Sequence, residues 1–86
     1  MTYRITLARH ANSYLERLEV ETQERFADLF ERLAEAPMEH SKQLTGRGGR
    51  RSARVGAWRV ILQIDAPNRE ILVSDIGPRG QVYRRL

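Results

Sequence analysis

The stretch that decides the fold runs from residue 53 to residue 65 and reads A-R-V-G-A-W-R-V-I-L-Q-I-D. Apolar residues recur at every second position on both sides of Gly56-Ala57, which is the period of a β-strand with one buried face. A glycine at the first position of a two-residue loop is typical of a β-hairpin, because glycine adopts positive φ without steric cost. The stretch therefore predicts two antiparallel strands that place Arg54 directly opposite Arg59.

Helical periodicity dominates the part of the chain before this hairpin. Apolar residues lie on one helical face from about Ala11, and a second helical series ending at Leu33 follows a break near residues 19 and 20. Pro37 ends the second helix, since proline cannot continue the helical hydrogen-bond pattern. The sequence therefore predicts two helices between the first strand and the hairpin.

Two further strands complete the predicted fold. Residues 2–8 alternate between apolar and polar side chains, and residues 71–76, between the turn at 65–68 and Gly77-Pro78, are predicted to form the last strand. Residues 40–52, rich in glycine and arginine, are predicted to be a loop. The order β-α-α-β-β-β predicts a single α+β domain over residues 1–86, a small antiparallel sheet with the two N-terminal helices packed on one face and the other face open. The turn at residues 65–68 leaves the register of the last strand undecided, because four- and five-residue turns present opposite faces.

Charge is divided unevenly along the chain. Residues 1–39 hold five arginines and eight acidic residues, whereas residues 40–86 hold ten basic residues and three acidic ones. Fourteen of the fifteen basic residues are arginine, whose planar guanidinium binds phosphate through paired hydrogen bonds. Nucleic acid is therefore the expected class of partner.

Several features are absent from the sequence. It has no cysteine, no signal-peptide pattern and no apolar run near the ~20 residues needed to span a bilayer. We therefore expect a cytoplasmic protein that makes no membrane contact. His10 and His40 lie far apart without a cluster of carboxylates around them, so we interpret both as surface residues and expect no metal site and no cofactor.

The predicted pairing of Arg54 with Arg59 is the most informative feature for function. Like charges directly opposite each other across two strands destabilise a sheet by about 0.2–1 kcal/mol. Either solvent screens the two side chains, or they form a clamp for the oxygens of a phosphate group. Trp58 has the parity of the helix-covered face and is predicted to belong to the core. Tyr83 lies among the C-terminal arginines, and its spacing fits an edge of the core and a substrate contact equally well.

Three segments together resemble the RelE branch of the RelE/ParE toxin superfamily. They are L-T-G at residues 44–46, the hairpin sequence at 53–65, and I-G-P-R-G-Q-V-Y-R at 76–84. The resemblance covers most of the chain and implies the toxin of a type II toxin–antitoxin system, an mRNA interferase that cleaves messenger RNA in the ribosomal A site and so inhibits translation. The implied nucleophile is the 2′-hydroxyl of the RNA. The implied products are a 2′,3′-cyclic phosphate and a 5′-hydroxyl end, formed without a metal ion.

The resemblance also implies roles for particular residues. Arg54 and Arg59 correspond to basic catalytic residues at the scissile phosphate. Arg79 corresponds to an arginine that stabilises the transition state or protonates the leaving group, and Tyr83 to a tyrosine that stacks on or orients the RNA. Many relatives carry a second basic residue at the position of Ser52, so the identity of the general base stays open. Further RNA contacts are expected from Arg47, Arg50, Arg51, Ser52, Arg84 and Arg85.

An acidic, RelB-like antitoxin is the implied protein partner, and it would neutralise the basic surface within a hetero-oligomer. Two alternative functions stay open. A ParE-like toxin of the same fold would inhibit DNA gyrase, whereas a non-catalytic basic module would bind nucleic acid through residues 47–54 without cleaving it. Cut messenger RNA, altered DNA supercoiling, or binding alone distinguishes the three functions.

Overall fold

The computed structural model of the chain describes residues 2–46, 48–78 and 82. Within these residues, two helices and five strands follow one another along the chain. Their bounds are β1 Arg4–Leu7, α1 Arg9–Glu16, α2 Val20–Glu35, β2 Lys42–Gln43, β3 Arg51–Val55, β4 Trp58–Asp65 and β5 Glu70–Pro78.

The strands form one sheet in the order β1-β5-β4-β3-β2. β2, β3, β4 and β5 pair antiparallel with their neighbours, but β1 pairs parallel with β5. The predicted α+β class is confirmed, and the sheet is mostly antiparallel as predicted, with the pairing of β1 and β5 as the exception. A parallel pair requires a long connection, and the two helices and the other three strands separate β1 from β5.

The predicted hairpin between β3 and β4 is confirmed. Arg54 pairs with Arg59 and Val55 pairs with Trp58, so Gly56-Ala57 is the two-residue turn. Gly56 has a φ of 56°, which glycine adopts without strain. A Cβ atom at Gly56 would also lie only 2.9 Å from the guanidinium of Arg25 on α2. The positive φ explains why the turn begins with glycine, whereas the Arg25 guanidinium is the end of a flexible side chain and can move away from an added Cβ.

A loop of four residues, 66–69, joins β4 to β5, because Asp65 pairs with Glu70. The Asp65 carboxylate accepts a 2.8 Å hydrogen bond from the Asn68 side-chain amide. Arg69 completes the loop with a φ of 53°. This geometry gives the register that the sequence left undecided. Midway along the pairing of β4 with β5, a β-bulge between Ile61 and Leu62 shifts the register.

The core lies between the helices and one face of the sheet. Phe26 and Leu33 of α2 are fully buried there, and burying a side chain of this size stabilises the fold by about 1.5–3 kcal/mol. Among the helices described, none is long and apolar enough to cross a membrane. The sheet contributes the following buried residues: Ala53, Val55, Val60, Leu62, Ile71, Val73 and Ile76.

The sheet face opposite the helices is only partly open. Arg54 and Leu72 are exposed there, as expected for an uncovered face. Ile61, however, alternates with two core residues on β4 and is nevertheless fully buried without belonging to the core cluster. Val82 is also fully buried outside that cluster. The expectation of an open face is therefore wrong around Ile61.

The segment predicted to be a loop contains strand β2. Lys42 pairs with Ser52 and Gln43 pairs with Arg51. Neither β2 residue is apolar, so the strand has no hydrophobic period by which the sequence would reveal it. Backbone pairing and neighbouring side-chain hydrogen bonds form this strand instead.

Side-chain hydrogen bonds hold the chain in place just before β2. The Ser41 hydroxyl donates to the Pro37 carbonyl at 2.6 Å and accepts from Arg51 Nε at 2.7 Å. Arg51 also donates through Nη2 to the Ser41 carbonyl at 2.9 Å. Ser41 is buried, so these bonds are shielded from water and fix the position at which β2 enters the sheet.

Candidate nucleic-acid interface

The two arginines of the hairpin lie side by side on the face opposite the helices. They are cross-strand neighbours on β3 and β4. The Arg54 side chain is exposed, whereas Arg59 is half-buried and its Nε atom has no hydrogen-bond partner among the described residues. A buried donor without a partner costs about 1–3 kcal/mol. The pair is therefore unfavourable for folding on two counts, like charge and an unmet hydrogen bond.

Among the described residues, no carboxylate forms an ion pair that neutralises the charge of Arg54 or Arg59. The ion pairs found there join Arg4 to Glu70 at 3.8 Å and His10 to Asp75 at 2.8 Å. Neither involves Arg54 or Arg59. An anionic ligand that bridges the two guanidinium groups would reverse the sign of their electrostatic energy.

A cleft of about 610 Å³ adjoins the arginine pair at the β2 side of the sheet. Its lining includes four arginine or lysine residues and a single acidic residue, Glu39. Low-dielectric walls lined by one sign of charge concentrate counter-ions. The basic residues of the lining are Arg32, Lys42, Arg54 and Arg59, and His40 lies beside them.

Lys42 and Arg32 are members of this lining that the sequence analysis missed. Arg32 lies in the last turn of α2. The sequence identifies it only as a member of that helix and gives no sign that it lines a cleft. Lys42 stands opposite Ser52, and hence on the same face as Arg54, because side chains two residues apart on a strand share a face. The sequence offers one signal for Lys42, which is composition: it is the single lysine among the fifteen basic residues.

The basic residues of the loop and of β3 have different surroundings. Arg51 uses its guanidinium to hold Ser41, with a further 3.4 Å contact to the Met38 carbonyl. Arg50 is half-buried, and its carbonyl accepts the Leu44 N–H. Ser52 lines the cleft. Ser52 thus lies next to the arginine pair, whereas Arg51 is occupied by a structural contact.

The remaining predicted site residues lie outside the residues that the structure describes. Their assignments therefore stay predictions that rest on the resemblance. They are the catalytic Arg79 and Tyr83 and the RNA-binding Arg47, Arg84 and Arg85.

Trp58 and the histidines do not form a second site. Trp58 is half-buried against the core, with its ring edge-on to Tyr14 at a centroid distance of 6.0 Å, which confirms its predicted place. His10 is 57% exposed and bonds through Nε2 to the Asp75 carboxylate at 2.8 Å. His40 is exposed. In the described part of the chain, no three His, Asp or Glu side chains lie close enough to hold a metal ion.

Known structures define the class of protein to which this fold belongs. The chain is similar to a chain of the toxin–antitoxin complex RelBE2 from Mycobacterium tuberculosis, with 22% identity over 92% of this chain and 100% of that one and a TM-score of 0.83. It is similar to a chain of the archaeal RelE–RelB complex from Pyrococcus horikoshii, with 26% identity over 94% and 99% of the two chains and a TM-score of 0.81. A YoeB/ParE toxin from Agrobacterium tumefaciens is 16% identical over 87% and 96%, with a TM-score of 0.74. The fold is that of the RelE/ParE toxins.

The family follows from the sequence itself. The model of the family described as the ParE toxin of the type II toxin–antitoxin system parDE matches residues 5–83. The chain therefore belongs to this family and is a type II toxin of the RelE/ParE superfamily. No curated protein sequence matches the chain.

Proposed function

We propose that this toxin is an mRNA interferase, an endoribonuclease that cleaves messenger RNA in the ribosomal A site and thereby inhibits translation. The observation that supports the proposal is the Arg54–Arg59 pair, with a half-buried Arg59 whose Nε has no hydrogen-bond partner in the described part of the chain. A phosphate gains negative charge on its non-bridging oxygens as it is attacked, and preorganised donors stabilise that charge without reorganising. The pair is therefore more favourable in the cleavage transition state than in the free protein.

In this mechanism the RNA supplies its own nucleophile. The 2′-hydroxyl oxygen attacks the adjacent phosphorus, the bond from phosphorus to the 5′-oxygen breaks, and a 2′,3′-cyclic phosphate and a 5′-hydroxyl end result. Arg54 and Arg59 bind the non-bridging oxygens, so the mechanism needs no metal ion for charge stabilisation. As the resemblance implies, Arg79 stabilises the transition state or protonates the leaving group. Tyr83 stacks on or orients the RNA. Substrate positioning supplies the remaining rate enhancement.

The proposed protein partner is an acidic RelB-like antitoxin. The M. tuberculosis and P. horikoshii relatives were each solved as complexes of a toxin with an antitoxin. An acidic chain that covers the cleft and the arginine pair would compete with RNA for the same charges, and its association would weaken as salt rises. We place the toxin and the hetero-oligomer in the cytoplasm, where ribosomes are accessible.

Induction of the toxin without a partner tests the function. We expect translation to stop and primer extension to reveal discrete cuts within codons of a translated message, but none in the same message with its start codon removed. The downstream fragments should accept a phosphate from polynucleotide kinase without prior phosphatase treatment, because their 5′ ends are hydroxyls. Uncut messages in arrested cells would contradict the proposal.

Inhibition of DNA gyrase is a second candidate, favoured by the ParE description of the matching family model. It predicts intact messages together with altered plasmid supercoiling after induction. The purified toxin would then inhibit gyrase in a supercoiling assay and leave ribosome-bound message uncut. The two candidate functions therefore give opposite results in the same pair of assays.

A further inference from the structure

Lys42 occupies a position that neither the helices nor the core explains. It lies on β2, a strand of two residues at the edge of the sheet, and it pairs directly with Ser52 on β3. Its side chain is exposed. Ser52 and Arg54 are two residues apart on one strand, and Arg54 is opposite Arg59. The register therefore places Lys42, Arg54 and Arg59 on the same face of three adjacent strands.

The backbone of Lys42 is held firmly in this position. On one side, Ser41 is buried and receives two hydrogen bonds from Arg51, at 2.7 and 2.9 Å. On the other side, the Leu44 N–H donates to the Arg50 carbonyl at 2.9 Å and closes the following loop. A fixed backbone limits the region that the flexible Lys42 stem can reach, and so keeps the ammonium group near the face that carries Arg54 and Arg59.

The third cation increases the electrostatic imbalance of this face. Among the described residues, no carboxylate forms an ion pair with Lys42, Arg54 or Arg59. All three line the same cleft, in which Glu39 is the single acidic member of the described lining. Three cations on adjacent strands, with no counter-ion among the residues that the structure describes, indicate a ligand with several negative oxygens.

We propose that Lys42 is a further catalytic residue, whose ammonium group contacts the scissile phosphate together with Arg54 and Arg59. This inference rests on the proposed ribonuclease function. The 2′-oxygen forms its bond to phosphorus as its proton leaves to water, and the bond to the 5′-oxygen breaks as that oxygen takes a proton from Arg79 or from water. The Lys42 ammonium neither gains nor loses a proton in this step. It opposes the negative charge that develops on the non-bridging oxygens.

Neutral and charge-conserving variants test this role. Lys42→Gln retains most of the methylene stem and the strand pairing but removes the charge. We expect its single-turnover cleavage of ribosome-bound message, measured at saturating toxin, to be about 100-fold slower than that of the wild type, the scale for losing one preorganised donor. Lys42→Arg should stay within about tenfold of the wild type. The melting temperatures of both variants should stay close to that of the wild type, because the Lys42 side chain is exposed.

A relocated lysine gives the sharpest test. In the Lys42→Gln background, Ser52→Lys places an ammonium group directly across the strand pair on the same face. We expect this double variant to recover at least tenfold in rate. The matched control is Gln43→Lys in the same background, which adds the same charge one residue away on the opposite face. It should recover nothing.

Several results would overturn the inference. If Lys42→Gln cleaves at the wild-type rate, or is slower only when the toxin is below saturation, Lys42 does not act at the reacting phosphate. An inactive Lys42→Arg would show that its charge is not the property that matters. If both relocated lysines restored the cleavage rate equally, the contribution of Lys42 would be a general electrostatic attraction of RNA. A wild-type toxin that leaves message uncut would instead overturn the proposed function itself, and this inference with it.

Discussion

Removing the charge of Arg59 should make the toxin more stable and less active. Arg59→Met retains an unbranched stem of similar length, while it removes both the like-charge repulsion with Arg54 and the buried Nε without a partner. The cross-strand repulsion costs about 0.2–1 kcal/mol and the unmet donor about 1–3 kcal/mol. Because Arg59 is only half-buried, we take the lower ends and expect a gain of about 1 kcal/mol. For a domain of this size, that raises Tm by about 4–8 °C.

Calorimetric melts at low and high salt separate the two contributions. Salt at 1 M screens charges beyond about 3 Å, so the repulsive part of the gain should disappear while the part due to the unmet donor persists. The matched control is Arg54→Met, since Arg54 is exposed and should give only the salt-sensitive part. Cleavage by Arg59→Met should fall by ~100-fold or more. A variant that melts below the wild type, or that cleaves as fast, would refute this account of the pair.

Two further predictions concern Tyr83 and the core. If Tyr83 stacks on RNA, Tyr83→Phe should retain most of the cleavage rate while Tyr83→Ala loses it with an unchanged melting temperature, because base–aromatic stacking contributes about 1–3 kcal/mol. An alanine variant that melts early yet still cleaves would remove Tyr83 from the site. Phe26→Ala, at a fully buried position on α2, should lower the free energy of unfolding by about 3–5 kcal/mol in chemical denaturation. A loss below 1 kcal/mol would mean that the helix does not pack on the sheet as described.

The sequence predicted the hairpin because two independent local signals agree there. The alternation of apolar residues fixes which face is buried, and Gly56 fixes the length of the turn. Together they place Arg54 opposite Arg59, so the central pair of the candidate site was predictable. Both signals act over a few residues, and such local patterns are the most informative part of a single sequence.

Other features depend on contacts that a local pattern does not encode. β2 is a strand because Arg51 and Ser41 hold it beside β3, and its two polar residues, Lys42 and Gln43, have no hydrophobic period. For this reason the sequence predicts a loop at Lys42 and does not reveal its place beside Ser52. The parallel pairing of β1 was missed for a related reason, since alternation shows that a strand has a buried face but does not name its neighbour. The burial of Ile61 likewise depends on what covers the second face.

The parallel pairing of β1 with β5 also governs when the toxin is completed during its own synthesis. β1 leaves the ribosome before the helices and the hairpin, yet its hydrogen-bonding partner begins at Glu70 and is translated after them. The nascent chain can form α1, α2 and the hairpin early, because those contacts are local. The sheet closes only after β5 has emerged from the exit tunnel. The toxin fold is thus incomplete on the ribosome until β5 has been translated, and a chain that terminates before Glu70 lacks the strand with which β1 pairs.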